Sequence, residues 1–121
     1  MSNIISFGNI IPLVPAIRMQ EVIDFYEREL GFSKLFQDEE SGYTGLGRDG
    51  IEFHLYKTSD RHLADWTVIR VQTNHIAELY DELKDKEYMH PNGRLEFKEY
   101  GLHEFSIIDP SGVLVTFFER P

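Results

Sequence analysis

The order of predicted elements occurs twice along this chain, and the repetition is the strongest constraint on its fold. Strand, helix and three strands are predicted between about residues 10 and 56, and the same order follows from about residue 67 to 118. Apolar alternation marks the strands, and apolar residues three and four apart mark the helices. We therefore predict an α+β fold of two β-α-β-β-β modules, about residues 1–57 and 66–121, in a single domain with a polar linker at 58–65. Each module alone exposes one sheet face, so the modules are expected to curl together, or across a dimer, into curved mixed sheets with helices outside.

The two predicted helices have different end signals. The first, residues 19–30, is followed by Gly31, where a left-handed C-cap is expected. The second, residues 76–86, is preceded by Thr73 and Asn74, either of which is a good N-cap residue. Both helices therefore carry terminal residues that fit their predicted bounds.

The predicted strands end in recognisable turns. We expect them at residues 10–17, 34–37, 43–46 and 51–56 in the first module and at 67–72, 95–100, 104–108 and 113–118 in the second. In Asp109-Pro110-Ser111-Gly112, proline presets φ at the second turn position and glycine relaxes the fourth. Residues 47–50 join two strands in the same way. Each module is therefore expected to contain a β-hairpin.

Composition and charge exclude several classes of function. The chain of 121 residues has no cysteine, which excludes thiol nucleophiles, thiolate zinc sites and disulfides. No secretory signal and no run of about 18 apolar residues is found, so we expect a cytoplasmic protein without membrane contact. The net charge of −9 argues against a nucleic-acid partner and favours a cationic or neutral ligand.

Three segments of the chain are informative when taken together: Val-Ile-Asp-Phe-Tyr-Glu-Arg-Glu-Leu-Gly-Phe at 22–32, Gly-Ile-Glu-Phe-His-Leu at 50–55 and Glu-Phe-Ser-Ile-Ile-Asp-Pro-Ser-Gly at 104–112. They resemble the vicinal oxygen chelate superfamily, which includes glyoxalase I, extradiol dioxygenases and bleomycin-resistance proteins. Within the superfamily the chain is most similar to bleomycin-resistance proteins, whose Arg-Glu-Phe before an Asp-Pro turn appears here as His103-Glu104-Phe105. The resemblance implies a metal-free homodimer that sequesters an antibiotic in grooves between subunits.

The resemblance also identifies four positions that hold a metal in the enzymes of the superfamily. Here they are occupied by Ile11, by Glu52 or His54, by Trp66 and by Thr116. An aliphatic side chain and an indole give a metal no lone pair, and a threonine hydroxyl is a weak ligand. We therefore expect no metal and no other cofactor.

Glu52 and His54 leave several interpretations open. They lie two residues apart on a predicted strand, so their side chains project to the same face. They can act as an acid/base pair, bind a metal between them, or contact a ligand or solvent. The second alternative lacks a third ligand, because no other histidine has a helical His-x-x-x-His spacing.

The predicted function is sequestration of a bulky, planar and cationic drug of the bleomycin type. The alternatives are a glyoxalase-like lyase or isomerase or a dioxygenase-related enzyme with a non-standard site, and a binding module for a native metabolite. Aromatic rings can stack on a planar ligand or attract its cation. An apolar N-terminal arm with Ile4, Ile5 and Phe7 can cross to a partner subunit. The predicted ligand-binding residues are Tyr43, Glu52, His54, Trp66, His103, Phe105 and Thr116.

Overall fold

The structure, a computed structural model, describes residues 3–99, 101 and 103–121. The first module contains β1 (Leu13–Ala16), α1 (Met19–Leu30), β2 (Ser33–Gln37), β3 (Thr44–Arg48) and β4 (Ile51–Lys57). A short helix, α2 (Arg61–Asp65), follows. The second module contains β5 (Val68–Gln72), α3 (Ile76–Leu83), β6 (Glu96–Phe97), β7 (His103–Ile108) and β8 (Leu114–Glu119).

Two four-stranded mixed sheets have the same topology. Sheet 1 has the order β1-β4-β3-β2 and sheet 2 the order β5-β8-β7-β6. In each sheet the first strand pairs in parallel with the last, and the remaining pairs are antiparallel. This arrangement confirms the predicted α+β fold with its repeated strand-helix-three-strand order.

Two of the predicted strands were too long, and the predicted linker contains a helix that the sequence did not predict. The strand expected at 10–17 is only β1, because Pro12 has no N–H group and contributes just its carbonyl, which accepts from the His54 amide. The linker predicted at 58–65 contains α2, which begins where Asp60 accepts a hydrogen bond from the His62 amide. The strand expected at 95–100 is only β6, and Tyr100 lies outside the described residues.

The predicted cap of α1 is present in the structure, whereas the predicted cap of α3 is not. Gly31 has φ +70° and forms the predicted left-handed C-cap of α1. The start of α3 at Ile76 was predicted correctly, but its end and its cap were not, since the helix ends at Leu83 and neither Thr73 nor Asn74 caps it. His75 holds the cap position without a side-chain bond, and the Ile76 amide instead donates to Glu119 at 3.0 Å. The last strand therefore supplies the cap of the second long helix.

One hydrophobic core takes residues from both modules. From β4 it includes Phe53 and Leu55, and from sheet 2 it includes Phe105, Val115 and Phe117. These residues lie on the sheet faces that pack against α1 and α3. The opposite face of each sheet, called here the outer face, is left with side chains that are partly exposed, such as Leu13 in sheet 1 and Val68 in sheet 2.

A buried hydrogen bond joins the two modules. The hydroxyl of Tyr26 on α1 donates to a carboxylate oxygen of Asp109 at 2.8 Å, and both residues are buried. The other carboxylate oxygen of Asp109 accepts from the amides of Ser111, Gly112 and Val113 in the β7–β8 turn. Burial raises the pKa of Asp109, although these four hydrogen bonds act in the opposite direction. The turn predicted from sequence is thus also the attachment point for α1.

No helix among the described residues is long and apolar enough to cross a membrane.

Removing the Tyr26 hydroxyl should destabilise the protein. In Tyr26→Phe the ring still fills its site, but Asp109 keeps a buried oxygen without its donor, at a cost of about 1–3 kcal/mol in the free energy of unfolding. Urea denaturation measures this loss. Tyr56→Phe, on the outer face of β4, is the control and should cost much less. An equal loss in both variants would contradict the importance of the Tyr26–Asp109 bond.

Asp109 should make stability depend on pH. A pKa raised in the folded chain means that, just above the usual value of 3.8, folded Asp109 keeps a proton that the unfolded chain has released. Its contribution to stability is therefore present at low pH and falls as pH rises through this window. Asp109→Asn cannot ionise, so it should gain stability relative to wild type as pH rises from about 4 to 7. Denaturant titrations across this range measure the difference, and a constant difference would contradict the raised pKa.

Candidate functional site

A hydrogen-bonded chain of three side chains lies on the outer face of sheet 1. His54 is at the centre, with its Nε2 2.6 Å from Glu52 and its Nδ1 2.8 Å from the Tyr43 hydroxyl. Glu52 and His54 share this face because they alternate with the core residues Phe53 and Leu55 on β4. Tyr43 precedes β3, which is the neighbour of β4. Three of the predicted site residues therefore lie together.

Phe36 packs next to the three hydrogen-bonded side chains and forms an aromatic cluster with two of them. Its ring stacks on Tyr43 with centroids 6.2 Å apart and meets the edge of His54 at 5.0 Å. A Cβ atom at Gly45 would lie 2.3 Å from the Phe36 ring, so only glycine lets this ring lie across β3. Phe36 remains 44% exposed. The result is an accessible aromatic surface beside a carboxylate.

The outer face of sheet 2 carries a different polar group. The Thr116 hydroxyl is 2.8 Å from that of Ser106, and Thr116 is only 4% exposed. Next to Thr116, Arg70 on β5 bonds Glu104 at 3.0 Å and lies 4.8 Å from the centroid of the Phe118 ring. Thr116, which was predicted to contact a ligand, therefore lies on the outer face of sheet 2, but its hydroxyl already has a hydrogen-bond partner.

Trp66 is not a core indole. It follows α2, and 85% of its surface is exposed. Two residues further on, Val68 on the outer face of β5 is also exposed. A large exposed ring next to exposed apolar residues is typical of a binding surface. Trp66 thus stays a candidate for ligand contact.

His103 and Phe105 do not lie with the other predicted residues. Both are on the face of β7 that points away from the Ser106 hydroxyl, as strand alternation requires. Phe105 is 1% exposed and packs against Tyr80 and Phe117, which corrects the prediction that it faces a ligand cavity. His103 is exposed at the start of β7, where it contacts the ring of Phe97 on β6.

The residues at the metal positions of the superfamily do not fit a metal ion. Ile11, Trp66 and Thr116 supply at most one hydroxyl, and Glu52 and His54 are bonded to each other. Within residues 3–99, 101 and 103–121, no three histidine, aspartate or glutamate side chains come together as a metal site would require. These residues therefore do not form a metal centre of the superfamily type.

Sequence reasoning missed Phe36 and Arg70 as outer-face residues. Pairing between β2 and β3 shifts register between Lys34 and Phe36, so Leu35 and Phe36 both lie over β3 glycines. Strict alternation would have placed these two side chains on opposite faces. The closely spaced glycines Gly45 and Gly47 were the available signal, because they mark a strand that other side chains cross.

A cavity of about 350 Å³ lies between the modules. Tyr26, Phe32 and Phe53 line it from the first module, and Ile69, Val71 and Phe117 line it from the second. Asn9, Ile10 and Pro12 contribute from the N-terminal arm, defined here as residues 3–12. Phe7 and Ile10 in the arm are 83% and 94% exposed. Among the described residues, these two apolar side chains of the arm are therefore largely exposed.

Known proteins resemble this chain in both sequence and fold. It is 27% identical to a bleomycin resistance protein of Geobacillus stearothermophilus over 127 residues, covering 91% of this chain and 95% of that protein. A bleomycin-binding protein complexed with bleomycin matches with a TM-score of 0.76 and 24% identity, covering 95% and 100% of the two chains. The copper(II)-bleomycin complex of the bleomycin-binding protein from Streptomyces verticillus matches with a TM-score of 0.77 and 25% identity, covering 93% and 96%.

The family comparison covers the whole sequence. A family profile described as glyoxalase superfamily protein matches residues 1–121. The repeated modules and the resemblance of the three sequence segments agree with this match. The chain belongs to the glyoxalase superfamily.

Proposed function

We propose that this protein binds a bulky, planar antibiotic of the bleomycin type and confers resistance by sequestering it. The mechanism is equilibrium binding without turnover of the drug. The observation that carries the proposal is the relation to a bleomycin resistance protein over 91% of the chain. The match to the copper(II)-bleomycin complex supports the same ligand class.

The outer faces support the proposal with suitable surface chemistry. Phe36 and Tyr43 on sheet 1 and Trp66 before sheet 2 present aromatic rings that can stack on flat heteroaromatic groups. Glu52 and the net charge of −9 favour a cationic drug. The metal positions of the superfamily do not fit a metal, which favours binding over metal-dependent catalysis.

A homodimer would complete the binding groove. Each sheet leaves its outer face uncovered, so the outer face of sheet 1 can face the outer face of sheet 2 in a partner subunit. The arm supports this assembly, since Phe7, Ile10 and the adjoining Leu13 on β1 are all more than half exposed. We propose that the arms exchange between subunits. The proposed location is the cytoplasm.

The second candidate is an acid/base enzyme that acts through Glu52 and His54. It is favoured by the distance of 2.6 Å between them and by their partial exposure, 33% for the Glu52 side chain and 17% for that of His54. A carboxylate that holds one imidazole nitrogen can orient a general base. This candidate predicts chemical change of the ligand, whereas sequestration predicts none.

Binding of bleomycin should quench the fluorescence of Trp66, the only tryptophan. We expect saturable quenching with a Kd of about 1 μM, weakening as salt rises because the acidic charge is screened. By calorimetry, Trp66→Leu should bind about tenfold more weakly because an exposed aromatic contact is lost. Phe97→Leu is the matched control, since Phe97 is another exposed ring away from the outer faces.

The same titration separates the two candidates. Mass spectrometry should recover the drug unchanged after prolonged incubation with the protein. Absence of binding by both fluorescence and calorimetry would contradict sequestration, and a modified drug would favour the acid/base enzyme. Equal losses in Trp66→Leu and Phe97→Leu would remove Trp66 from the proposed groove.

Truncating the arm before Asn9 should separate the proposed dimer. Deletion of the residues before Asn9 takes away the exposed ring of Phe7, so sedimentation velocity should detect a dimer for the full chain and a monomer for the deletion. Bleomycin binding should fall with the dimer. Phe7→Ser should weaken the dimer by about tenfold or more, while the polar control Asn3→Ser should not. A full chain that is monomeric at about 50 μM would contradict the assembly.

A further inference from the structure

The hydrogen-bonded chain on sheet 1 has a fixed direction. The Glu52 carboxylate only accepts hydrogen bonds, so the His54 Nε2 beside it must carry the proton. In the neutral imidazole the other nitrogen, Nδ1, has no proton and accepts from the Tyr43 hydroxyl. The Tyr43 hydroxyl proton and the His54 Nε2 proton are therefore both used in hydrogen bonds among these three side chains.

What remains available to a ligand is a set of acceptors. The Tyr43 oxygen keeps its lone pairs, and the Glu52 carboxylate keeps the lone pairs that His54 does not use. Together the three groups carry one negative charge when the imidazole is neutral. A ligand that meets them favourably must supply hydrogen-bond donors and positive charge.

No lysine or arginine in the described part of the chain forms a salt bridge with Glu52. Arg70 lines the inter-module cavity together with Glu52, but it pairs with Glu104 at 3.0 Å. The acidic loop at 38–40 after β2 adds negative charge, and Asp38 there bonds Ser41. The charge of Glu52 is therefore not neutralised by a basic side chain and is available to a cation.

The Phe36 ring adds a flat aromatic surface next to the negative charge of Glu52. Phe36 is 44% exposed and contacts both Tyr43 and His54, and Gly45 provides the space in which its ring lies. An aromatic face attracts a cation and stacks well on a flat one. A planar cation can thus use the ring and the oxygen acceptors at the same time.

We propose that Tyr43, Glu52, His54 and Phe36 form a subsite for a planar nitrogen cation that bears N–H groups, an amidinium or a guanidinium. Its N–H groups donate to the free oxygen of Glu52 and to the Tyr43 oxygen, and its plane contacts Phe36. His54 is a positioning residue that holds both oxygens in place. This subsite rests on the proposed function, since it assigns the cationic part of the ligand to sheet 1.

Benzamidine and benzamide test the subsite directly at pH 8 by calorimetry. The two probes have the same size and flat shape, but only benzamidine is a cation. Benzamidine should bind with a Kd of about 1 mM, and benzamide should bind at least about tenfold more weakly, since hydrogen bonds to a charged group are the stronger ones. Equal binding of the two would overturn the proposal. So would equal binding of phenyltrimethylammonium, a cation without N–H groups.

Glu52→Gln should weaken benzamidine binding by about tenfold or more, because it removes the negative charge while keeping the shape. Glu39→Gln is the matched control, since it removes the same charge from the exposed loop. Tyr43→Phe is a second variant and should lose a few-fold in affinity, which keeps the test decisive if circular dichroism shows that Glu52→Gln is unfolded. Unchanged binding in a folded Glu52→Gln or Tyr43→Phe protein, or an equal loss in Glu39→Gln, would overturn the subsite.

Bleomycin titrations of the same proteins separate the subsite from the proposed function. If wild type binds bleomycin but not benzamidine, the subsite is wrong and the function stands. If wild type binds benzamidine through Glu52 but does not bind bleomycin, the subsite stands and the function is wrong.

Discussion

The bond between Tyr26 and Asp109 is the contact on which the arrangement of the two modules depends. It joins α1 of the first module to the β7–β8 turn of the second, inside a shared core. The same carboxylate also organises the turn through three backbone amides. A nearby hydrogen bond, from the Ile17 amide to the Ser111 hydroxyl, reinforces the connection. Because one buried carboxylate serves both modules, the turn cannot change its shape without moving α1.

This junction also determines which sheet faces are available for binding. The sheet faces that pack on the helices are buried in the shared core. The outer faces carry the polar and aromatic groups. Glu52 and His54 on sheet 1 and Arg70 and Thr116 on sheet 2 thus lie on surfaces that a second copy of the chain can cover. The proposed groove between subunits follows from the packing inside one subunit.

The sequence predicted those parts of the fold that depend on local patterns. The apolar face of α1, the left-handed cap at Gly31 and the β7–β8 turn each depend on residues that are close together in the sequence. The structure contains all three. The cap of α3 was not predictable in this way, because the group that bonds the Ile76 amide is Glu119, 43 residues later. Contacts across such a distance in sequence depend on how the sheets pack, which local propensity does not encode.

The candidate site was predictable to a similar extent. Alternation along β4 correctly puts Glu52 and His54 together, and it also puts His103 and Phe105 on one face of β7. Alternation does not say which face is buried, and for Phe105 the prediction chose the wrong one. Phe36 was missed for another reason, since the register shift before it breaks the alternation on which the prediction depended.

The contact between Glu119 and the start of α3 has a consequence for the order in which the protein can form during synthesis. The ribosome makes α3 well before it makes β8. The Ile76 amide can therefore form its hydrogen bond to Glu119 only after β8 has been synthesised. Sheet 2 has the same requirement, because β8 lies between β5 and β7. The first module, whose strands are all present once Lys57 has been made, can pair its sheet while translation continues. The second module can close only after the last strand has left the ribosome.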